Sequence, residues 1–292
     1  MTIRTVAVIG VGAMGNPMAR RIHDAGFALT VCDTSEKALA PFATLGVRTT
    51  RQAAECAGCD AVIILVATPD QARQVALGAD GLRAGLSGKP PMLVVMGTVA
   101  PATMHELQSE LEPLGIRVVD APVSGGLVKA RDGTLAIMMG GRSEDIDALQ
   151  PLMASMGKSV FRCGALGAGQ ATKIVNNAMG IASIMIAAEA YRIGLDNGLR
   201  LEDAVPVFEA SSGRNFFSRN PRDASDAYAA WAPTRADFNS LQAIMRKDID
   251  LALAIGSDAA SLPVMRALRT MLDGVGEETF ETWRTVARAG MP

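Results

Sequence analysis

A chain of 292 residues is about twice the size of a typical domain, so it predicts one large α/β domain or two ordinary ones. Hydrophobic residues make up 49% of the chain but aromatic residues only 4%, a balance typical of helices interleaved with parallel strands. The formal net charge of -2 gives no electrostatic reason to expect nucleic acid or an anionic membrane as a partner.

The start of the chain and its cysteines favour a cytoplasmic protein. Met1 leads almost directly into the apolar run 5–9 without the pattern of a signal peptide. Four cysteines are too few for a disulfide framework, and the single CxxC at Cys56 and Cys59 has no second pair, so we expect no metal site. The uncharged stretch 174–188 is shorter than a membrane span and predicts a buried helix.

The first half of the chain alternates short β-rich runs with stretches long enough for a helix. The predicted strands are 6–9, 28–32, 47–49, 61–66, 92–96 and 117–119. This alternation is the rhythm of a parallel, doubly wound sheet. Two further apolar runs, 135–139 and 159–161, flank a predicted helix at 143–156 and are expected to extend the same sheet.

The pattern changes after the glycine-rich segment 164–169. Apolar residues then recur with a helical period over 170–195, 201–210, 238–257 and 262–272. We therefore predict an α/β protein with an N-terminal Rossmann domain, built on a doubly wound and mostly parallel sheet, over residues 1–164. An all-α domain is predicted over residues 165–292.

A GxGxxG motif at residues 10–15 directly follows the first predicted strand and opens a helical stretch. The first glycine suits a tight turn, the second lets backbone approach a pyrophosphate, and the third lets the helix pack on the strand. Asp33 ends the second strand, where a carboxylate accepts ribose hydroxyls and repels a 2′-phosphate, and Thr34 follows it rather than an arginine. NAD is therefore favoured over NADP. The alternative is that the motif is only a structural turn and Asp33 only a surface residue. The predicted cofactor contacts in this half are Gly10, Gly12, Ala13, Met14, Gly15, Asp33, Thr34, Val66 and Thr68.

A second glycine-rich loop, from Asp120 to Gly126, follows the sixth predicted strand. Ligands of doubly wound sheets collect beyond the carboxyl ends of the strands, and this loop lies there. The Ser124 hydroxyl beside Gly125 and Gly126 offers donors that suit a carboxylate. The alternative, a turn that only links two strands, stays open on these residues alone.

Lys173 is a candidate general acid and base. The chain has only 6 lysines, and Lys173 opens a helix whose next 15 residues carry no charge. A lysine can release its proton when desolvated, whereas an arginine cannot. Asn177 lies one helical turn later on the same face. The competing interpretation is a lysine that extends along a domain junction to reach water.

Four segments together resemble the β-hydroxyacid dehydrogenases, a family that includes 3-hydroxyisobutyrate dehydrogenase, tartronate semialdehyde reductase and the glyoxylate/succinic semialdehyde reductases. The segments are VIGVGAMGNPMARRI at 8–22, DAPVSGGLVKARDGTLAIMMGG at 120–141, GAGQATKIVNN at 167–177 and RKDIDLA at 246–252. They occur in the family's order, and the resemblance covers most of the chain.

The resemblance implies a role for each matching position. Lys173 would donate and accept the proton, and with Ser124 and Asn177 it forms the predicted catalytic set. Substrate would be held by Ser124, Gly125, Gly126, Lys173 and Asn177, while Thr98 and Lys247 would contact the cofactor and Asp248 would pair with the substrate region or brace Lys173.

Three regions depart from the family pattern. Ser240 stands where many relatives have an aromatic, with Phe238 displaced by two residues, the segment 220–237 matches no pattern, and the turn 274–277 differs. These regions are expected to line the distal part of the substrate pocket, so the exact hydroxy acid stays open. Arg214 either binds a second carboxylate or caps a helix and faces solvent.

We therefore predict an oxidoreductase that moves a hydride between NAD and a small β-hydroxy acid, or reduces the matching semialdehyde. The alternatives are an imine or ketone reductase on the same scaffold and a non-catalytic NAD-binding module. The helix over 174–193 is apolar over most of its circumference, so a homodimer or homotetramer is expected.

Overall fold

The computed structural model describes residues 2–220, 222–256 and 258–289. The chain divides into two compact units, Met1–Lys173 and Ile174–Pro292. The predicted division after residue 164 stays a prediction. The predicted helix end at Ser257 lies outside the described residues.

The elements of the first unit alternate as the sequence pattern predicts. Its strands are β1 (Thr5–Ile9), β2 (Ala28–Cys32), β3 (Arg48–Thr50), β4 (Ala61–Ile64), β5 (Met92–Val95), β6 (Arg117–Asp120), β7 (Val123–Ser124), β8 (Ala136–Gly140) and β9 (Ser159–Gly164). Its helices are α1 (Gly15–Asp24), α2 (Glu36–Ala43), α3 (Pro69–Leu77), α4 (Pro101–Leu111), α5 (Gly126–Asp132) and α6 (Ser143–Met156).

Among the described residues, the strands form one sheet in the order β3-β2-β1-β4-β5-β6-β8-β7, with β9 paired to β8. The six leading strands are parallel, whereas β8 runs antiparallel to β6 and β7. The chain order reverses at β1, since β2 and β3 lie on one side of it and β4 to β6 on the other. This confirms the doubly wound, mostly parallel sheet.

Burial on both faces explains why these strands are continuous apolar runs. Along β1, Val6 and Val8 face one core with α1 and α6, whereas Ala7 and Ile9 face a second core with α3 and α4. Neither face of β1 reaches water, because Val6, Ala7 and Val8 are fully buried. The sheet is therefore a rigid layer whose carboxyl edge can hold a site.

Strand β7 and helix α5 were not predicted from the sequence. A loop was predicted from Asp120 to Gly126, but Val123 and Ser124 pair with β8 and Gly126–Asp132 forms a short helix. A strand of two residues and a helix that begins with glycine carry too little periodicity to be found in a sequence.

Helix α7 (Ala168–Asp196) carries the chain from the first unit into the second. The helix extends beyond the uncharged stretch 174–188 in both directions, and by length and composition it could cross a membrane. One such helix is weak evidence for a membrane span, because the core helix of a soluble protein passes the same test.

The described part of the second unit contains helices only, as predicted. After α7 come α8 (Leu201–Glu209), α9 (Asp223–Trp231), α10 (Arg235–Ile255), α11 (Pro263–Asp273) and α12 (Glu277–Arg288). The sequence analysis missed α9 and α12. Tyr228 of α9 is buried, stacks on Phe217 with ring centroids 5.3 Å apart and packs at a tilt against Trp283 with centroids 5.0 Å apart, so this face of α9 forms core.

Candidate active site

The carboxyl ends of β1, β4 and β5 place the loops that follow them, which contain several of the predicted cofactor residues, side by side. A Cβ built on Gly10, just after β1, would lie 2.4 Å from the Leu65 carbonyl oxygen beyond β4. A Cβ on Gly97, beyond β5, would lie 2.7 Å from the Val66 carbonyl oxygen. The loops after β1, β4 and β5 are therefore in contact, and Thr98 lies beside Gly97.

The three glycines of the GxGxxG loop have different surroundings. Gly10 has a φ of +92°, and a Cβ on Gly15 would stand 1.9 Å from the Gly10 carbonyl oxygen, so both positions require glycine for the fold itself. A Cβ on Gly12 would meet no described atom within 4 Å. The space over Gly12 fits the close approach of a dinucleotide pyrophosphate at the start of α1.

Asp33 is anchored directly to this loop. One carboxylate oxygen accepts a hydrogen bond from the Val11 backbone N–H at 2.9 Å and the other from the Ser35 N–H at 2.9 Å. An ionised carboxylate has about four acceptor positions, so these two bonds leave capacity for further donors such as ribose hydroxyls. The following residue, Thr34, is exposed.

The other residues of the predicted cofactor set differ in exposure and role. Ala13 is exposed, whereas Met14, Val66 and Thr98 are half-buried. Thr68 is the N-cap of α3. Its hydroxyl accepts a hydrogen bond from the Gln71 backbone N–H, and the Gln71 side-chain oxygen accepts one from the Thr68 backbone N–H.

Asp120, at the end of β6, is fully buried and binds the start of α7. One oxygen accepts the Gly167 N–H and the other the Gln170 N–H, both at 2.7 Å. Burial raises the pKa of Asp120 to about 6, even though the bonds from Gly167 and Gln170 act to lower it. The carboxylate therefore caps α7 at the carboxyl edge of the sheet.

We expect Asp120 to make stability pH-dependent. Its folded pKa of about 6 lies above the ordinary value of 3.8, so the bound proton stabilises the fold fully below pH 3.8, and this stability is lost as the pH rises through 6. A shift of this size corresponds to about 3 kcal/mol. Denaturant unfolding of the wild type and of Asp120→Asn between pH 4 and pH 7 tests it. The wild type should lose stability relative to the variant over this range, and a constant difference would contradict the prediction.

Gln170 joins the same helix to the loop after β5. Its side-chain oxygen accepts the Val99 N–H at 3.1 Å and its amide nitrogen donates to the Gly97 carbonyl at 2.8 Å. The side chain is fully buried. Sequence reasoning assigned no task to Gln170 or to the Asp120 carboxylate, although a polar residue in the first turn of an apolar helix was an available signal.

Ser124 ends β7 and is half-buried, while Gly125 and Gly126 are exposed with φ of +137° and +69°. A Cβ on Gly126 would meet no described atom within 4 Å, so this backbone borders open space. Only glycine adopts both angles without strain. The Ser124 loop therefore presents a hydroxyl and a side-chain-free backbone at the end of β7, which is separated from the Asp120 strand, β6, by β8.

Lys173 lies one turn beyond the two residues that anchor α7. It is 8% exposed and three residues after Gln170, so the two lie on neighbouring positions of one helical face. Asn177 follows one turn later and is half-buried. Lys173 is thus a buried amine on a helix start that is fixed to the carboxyl ends of β5 and β6.

In the second unit, Asn177 is held by a buried carboxylate. Its amide nitrogen donates to the Asp248 carboxylate at 2.6 Å, and the Lys247 ammonium lies 2.8 Å from the other oxygen of Asp248. Asp248 is 3% exposed. Asp248 therefore contacts both Asn177 and Lys247, and Asn177 has a fixed amide orientation.

The structure places two features that the sequence left open, Arg214 and the turn 274–277. Arg214 pairs with Glu209 at 3.0 Å and its side chain is 72% exposed, which fits the alternative that it faces solvent. Gly274 and Gly276 end α11 and precede α12.

Two family models match almost the whole chain. The NAD-binding domain of 6-phosphogluconate dehydrogenase matches residues 5–164, and the NAD-binding domain of NADP-dependent 3-hydroxyisobutyrate dehydrogenase matches residues 167–286. The NAD-dependent L-serine dehydrogenase of Pseudomonas aeruginosa is 33% identical over 281 residues, which covers 92% of this chain and 91% of that protein. The chain belongs to the β-hydroxyacid dehydrogenase family.

Other relatives agree with this assignment. The 3-hydroxyisobutyrate dehydrogenase of P. aeruginosa is 35% identical over 261 residues, covering 85% of this chain and 84% of that one. The structure of Mycobacterium tuberculosis 3-hydroxyisobutyrate dehydrogenase with L-serine has a TM-score of 0.77 and 26% identity, covering 98% and 99% of the two chains. The predicted family and reaction class, hydride transfer between a nicotinamide cofactor and a small hydroxy acid, are confirmed.

Proposed function

We propose that this protein uses NAD to oxidise a small carboxylic acid that carries a hydroxyl on its β-carbon. The observation that carries the proposal is the placement of Lys173. It is a buried amine on a helix start that Asp120 and Gln170 bind to the same sheet edge as the cofactor loop. The relatives named for L-serine and 3-hydroxyisobutyrate support this substrate class, because both acids have a primary hydroxyl β to a carboxylate.

In the proposed reaction, neutral Lys173 accepts the proton of the substrate hydroxyl while the carbon–hydrogen bond of the same carbon breaks. The bound cofactor supplies the hydride acceptor. The products are the semialdehyde, reduced cofactor and an ammonium on Lys173, which returns its proton to solvent. In the reverse direction the Lys173 ammonium protonates the carbonyl oxygen.

Substrate positioning is assigned to the Ser124 loop and to Asn177. The Ser124 hydroxyl and the backbone of Gly125 and Gly126 suit a carboxylate, since they offer donors without a side chain in the way. Asn177 follows Lys173 by one turn, and the bond to Asp248 fixes its amide. In this proposal the Ser124 loop holds the carboxylate of the acid, and the hydroxyl gives its proton to Lys173.

A substrate screen tests the proposal. Purified protein is incubated with L-serine, 3-hydroxyisobutyrate, L-threonate or an α-hydroxy acid such as lactate, and NADH formation is followed at 340 nm. Activity on one or more of the first three and not on lactate supports the proposal. Turnover of cyclic imines without turnover of any hydroxy acid would favour the imine or ketone reductase alternative, and NAD binding without any turnover would favour the non-catalytic module.

We expect NAD to be preferred over NADP by at least about tenfold in kcat/KM, which corresponds to about 1.4 kcal/mol. The reason is the Asp33 carboxylate, which is anchored to the loop and would repel a 2′-phosphate, next to an exposed Thr34 with no positive charge. Parallel kinetics with both cofactors measure the ratio, and Asp33→Ser should narrow it. Equal use of NADP by the wild type would contradict the prediction.

We also propose that the protein is a cytoplasmic homodimer or homotetramer that pairs through an apolar stripe on α7. The stripe consists of Val175, Met179, Ile186 and Ile193, which are 52–66% exposed. They are spaced by four or seven residues, the spacing that keeps side chains on one seam of two packed helices. Two copies of α7 can therefore cover one another symmetrically.

Light scattering at micromolar concentration is expected to give the mass of two or four chains. Ile186→Asp should shift the protein toward the mass of one chain, because a charge would be buried in the seam. Val264→Asp is the matched control, since Val264 is 81% exposed on α11 outside the stripe. A wild-type mass of one chain, or equal dissociation by both variants, would exclude pairing through α7.

A further inference from the structure

We infer that Asp120 and Gln170 are positioning residues that together set the place of Lys173 relative to the Thr98 loop. The inference rests on the proposed role of Lys173 as the proton acceptor. In this inference neither side chain contacts the substrate. Both act by holding the first turn of α7 against the carboxyl ends of β5 and β6.

The Asp120 contact leaves little freedom for the start of α7. Each carboxylate oxygen is bound to a different backbone N–H, one from Gly167 before the helix and one from Gln170 within its first turn. Two bonds to two points fix the direction of the helix as well as its position. Glycines enclose the carboxylate, because a Cβ on Gly140 would lie 2.5 Å from one oxygen and a Cβ on Gly169 2.7 Å from the other.

The Gln170 side chain attaches the first turn of α7 at a third point, the loop after the neighbouring strand β5. Its carboxamide satisfies one acceptor and one donor of the loop after β5, the Gly97 carbonyl and the Val99 N–H, which flank Thr98. A buried carboxamide bound at both ends is costly to rotate, since a turned amide would leave a buried donor and acceptor unpaired. Thr98 and the α7 backbone are therefore tied through one side chain.

Because of the position of Gln170, its two hydrogen bonds to the loop after β5 also fix the position of Lys173. Lys173 lies three positions after Gln170 on the same helix, so any tilt or rotation of the first turn moves the Lys173 amine along with it. Proton and hydride transfer need reacting atoms within about 3 to 3.5 Å, and a misplacement of about 1 Å costs on the order of 10²-fold in rate. We call the Asp120 and Gln170 contacts the clamp. Loss of the clamp is thus expected to lower turnover much more than cofactor affinity.

Two variants and a matched control test this. Asp120→Asn turns one oxygen into a donor that faces a backbone N–H, and Gln170→Met keeps the length of the side chain and removes both bonds. Asp60→Asn is the control, because Asp60 also accepts two backbone N–H bonds, from Arg4 and Thr5, at the opposite end of the same sheet. All three should lower the melting temperature.

The first readout does not depend on activity. Reductive methylation with ¹³C labels the 6 lysines, and the Lys173 signal is assigned by its loss in Lys173→Arg. In Asp120→Asn and Gln170→Met that signal should move, and its titration midpoint should change by more than about half a pH unit, whereas Asp60→Asn leaves both unchanged. Unchanged Lys173 signals in both clamp variants would overturn the inference.

The second readout separates turnover from binding. In the two clamp variants kcat should fall about 10- to 100-fold, with NAD affinity, measured by fluorescence, within about threefold of the wild type. The Asp60→Asn control should keep its kcat. A kcat loss equal to that of the control would overturn the inference. Absence of hydride transfer in the wild type with every acid tested would instead refute the proposed function, and the lysine signals would still decide the clamp.

Discussion

Replacing Lys173 with alanine should lower turnover by a factor on the order of 10² to 10⁴, because the substitution removes the group that we propose as the acceptor of the hydroxyl proton. NAD affinity should change little, since the Asp33 and Gly12 loops that are assigned to the cofactor lie elsewhere on the sheet edge. The effect should appear in single-turnover hydride transfer as well as in steady-state kcat.

Ser124→Ala provides the contrast for the Lys173 variant. It removes the proposed hydrogen bond from Ser124 to the substrate carboxylate, a bond of a kind worth about 1.5 to 3 kcal/mol, and the loss should appear largely in KM. The two variants should therefore have different kinetic profiles. Near wild-type hydride transfer in Lys173→Ala would refute its catalytic assignment, and Lys173 would then be a structural residue of α7.

The pH dependence of the wild type gives a further check on Lys173. A lysine acts as a base only when it is neutral, so oxidation should slow as the pH falls. The reverse reaction needs the ammonium form and should respond in the opposite sense. The same slope for both directions would contradict proton transfer by Lys173.

The sequence predicted the sheet well because each strand carries its own signal. β1 and β4 are buried on both faces, so their residues are apolar without interruption and flanked by turns. The GxGxxG loop and Asp33 were identified for the same local reason, since the motif, the strand before it and the helix after it are contiguous.

The anchoring of α7 could not be predicted in this way. Asp120 binds backbone groups 47 and 50 residues later, and Gln170 binds loop residues 71 and 73 residues earlier. Backbone N–H groups carry no sequence signature, so nothing in the chain marks them as partners of a particular carboxylate. The sequence indicated which residues bear chemistry, and the fold was needed to show what holds them.

The missed helices of the second unit have a different cause. Helix α9 is short and rich in alanine, and its apolar residues include Tyr228 and Trp231, whose partners Phe217 and Trp283 lie in distant segments. Its helical pattern is weak in isolation, and packing among aromatic rings stabilises it. The segment 220–237, which was predicted to line the distal part of the pocket, contributes Ala224, Tyr228 and Ala232 to the helical core.

The glycines of the cofactor loop give the second large expected effect. Gly15→Ala should destabilise the fold by about 3 kcal/mol or more, because its Cβ would stand 1.9 Å from a backbone carbonyl that cannot rotate away. Gly12→Ala should leave the melting temperature unchanged, since its Cβ would enter space free of described atoms. It should nevertheless weaken NAD binding about tenfold or more, because that space is where backbone is expected to approach the pyrophosphate.

Thermal unfolding and NAD titration of both variants separate the two roles. Gly26→Ala is unsuitable as a control because its φ is +86°, whereas Gly58→Ala, with open space around its Cβ and no such backbone angle, should change neither property. Unaltered NAD affinity in Gly12→Ala would show that the cofactor does not lie over this loop. A stable Gly15→Ala would show that α1 can move away from β1, and the loop would then not be the rigid phosphate cradle that its contacts indicate.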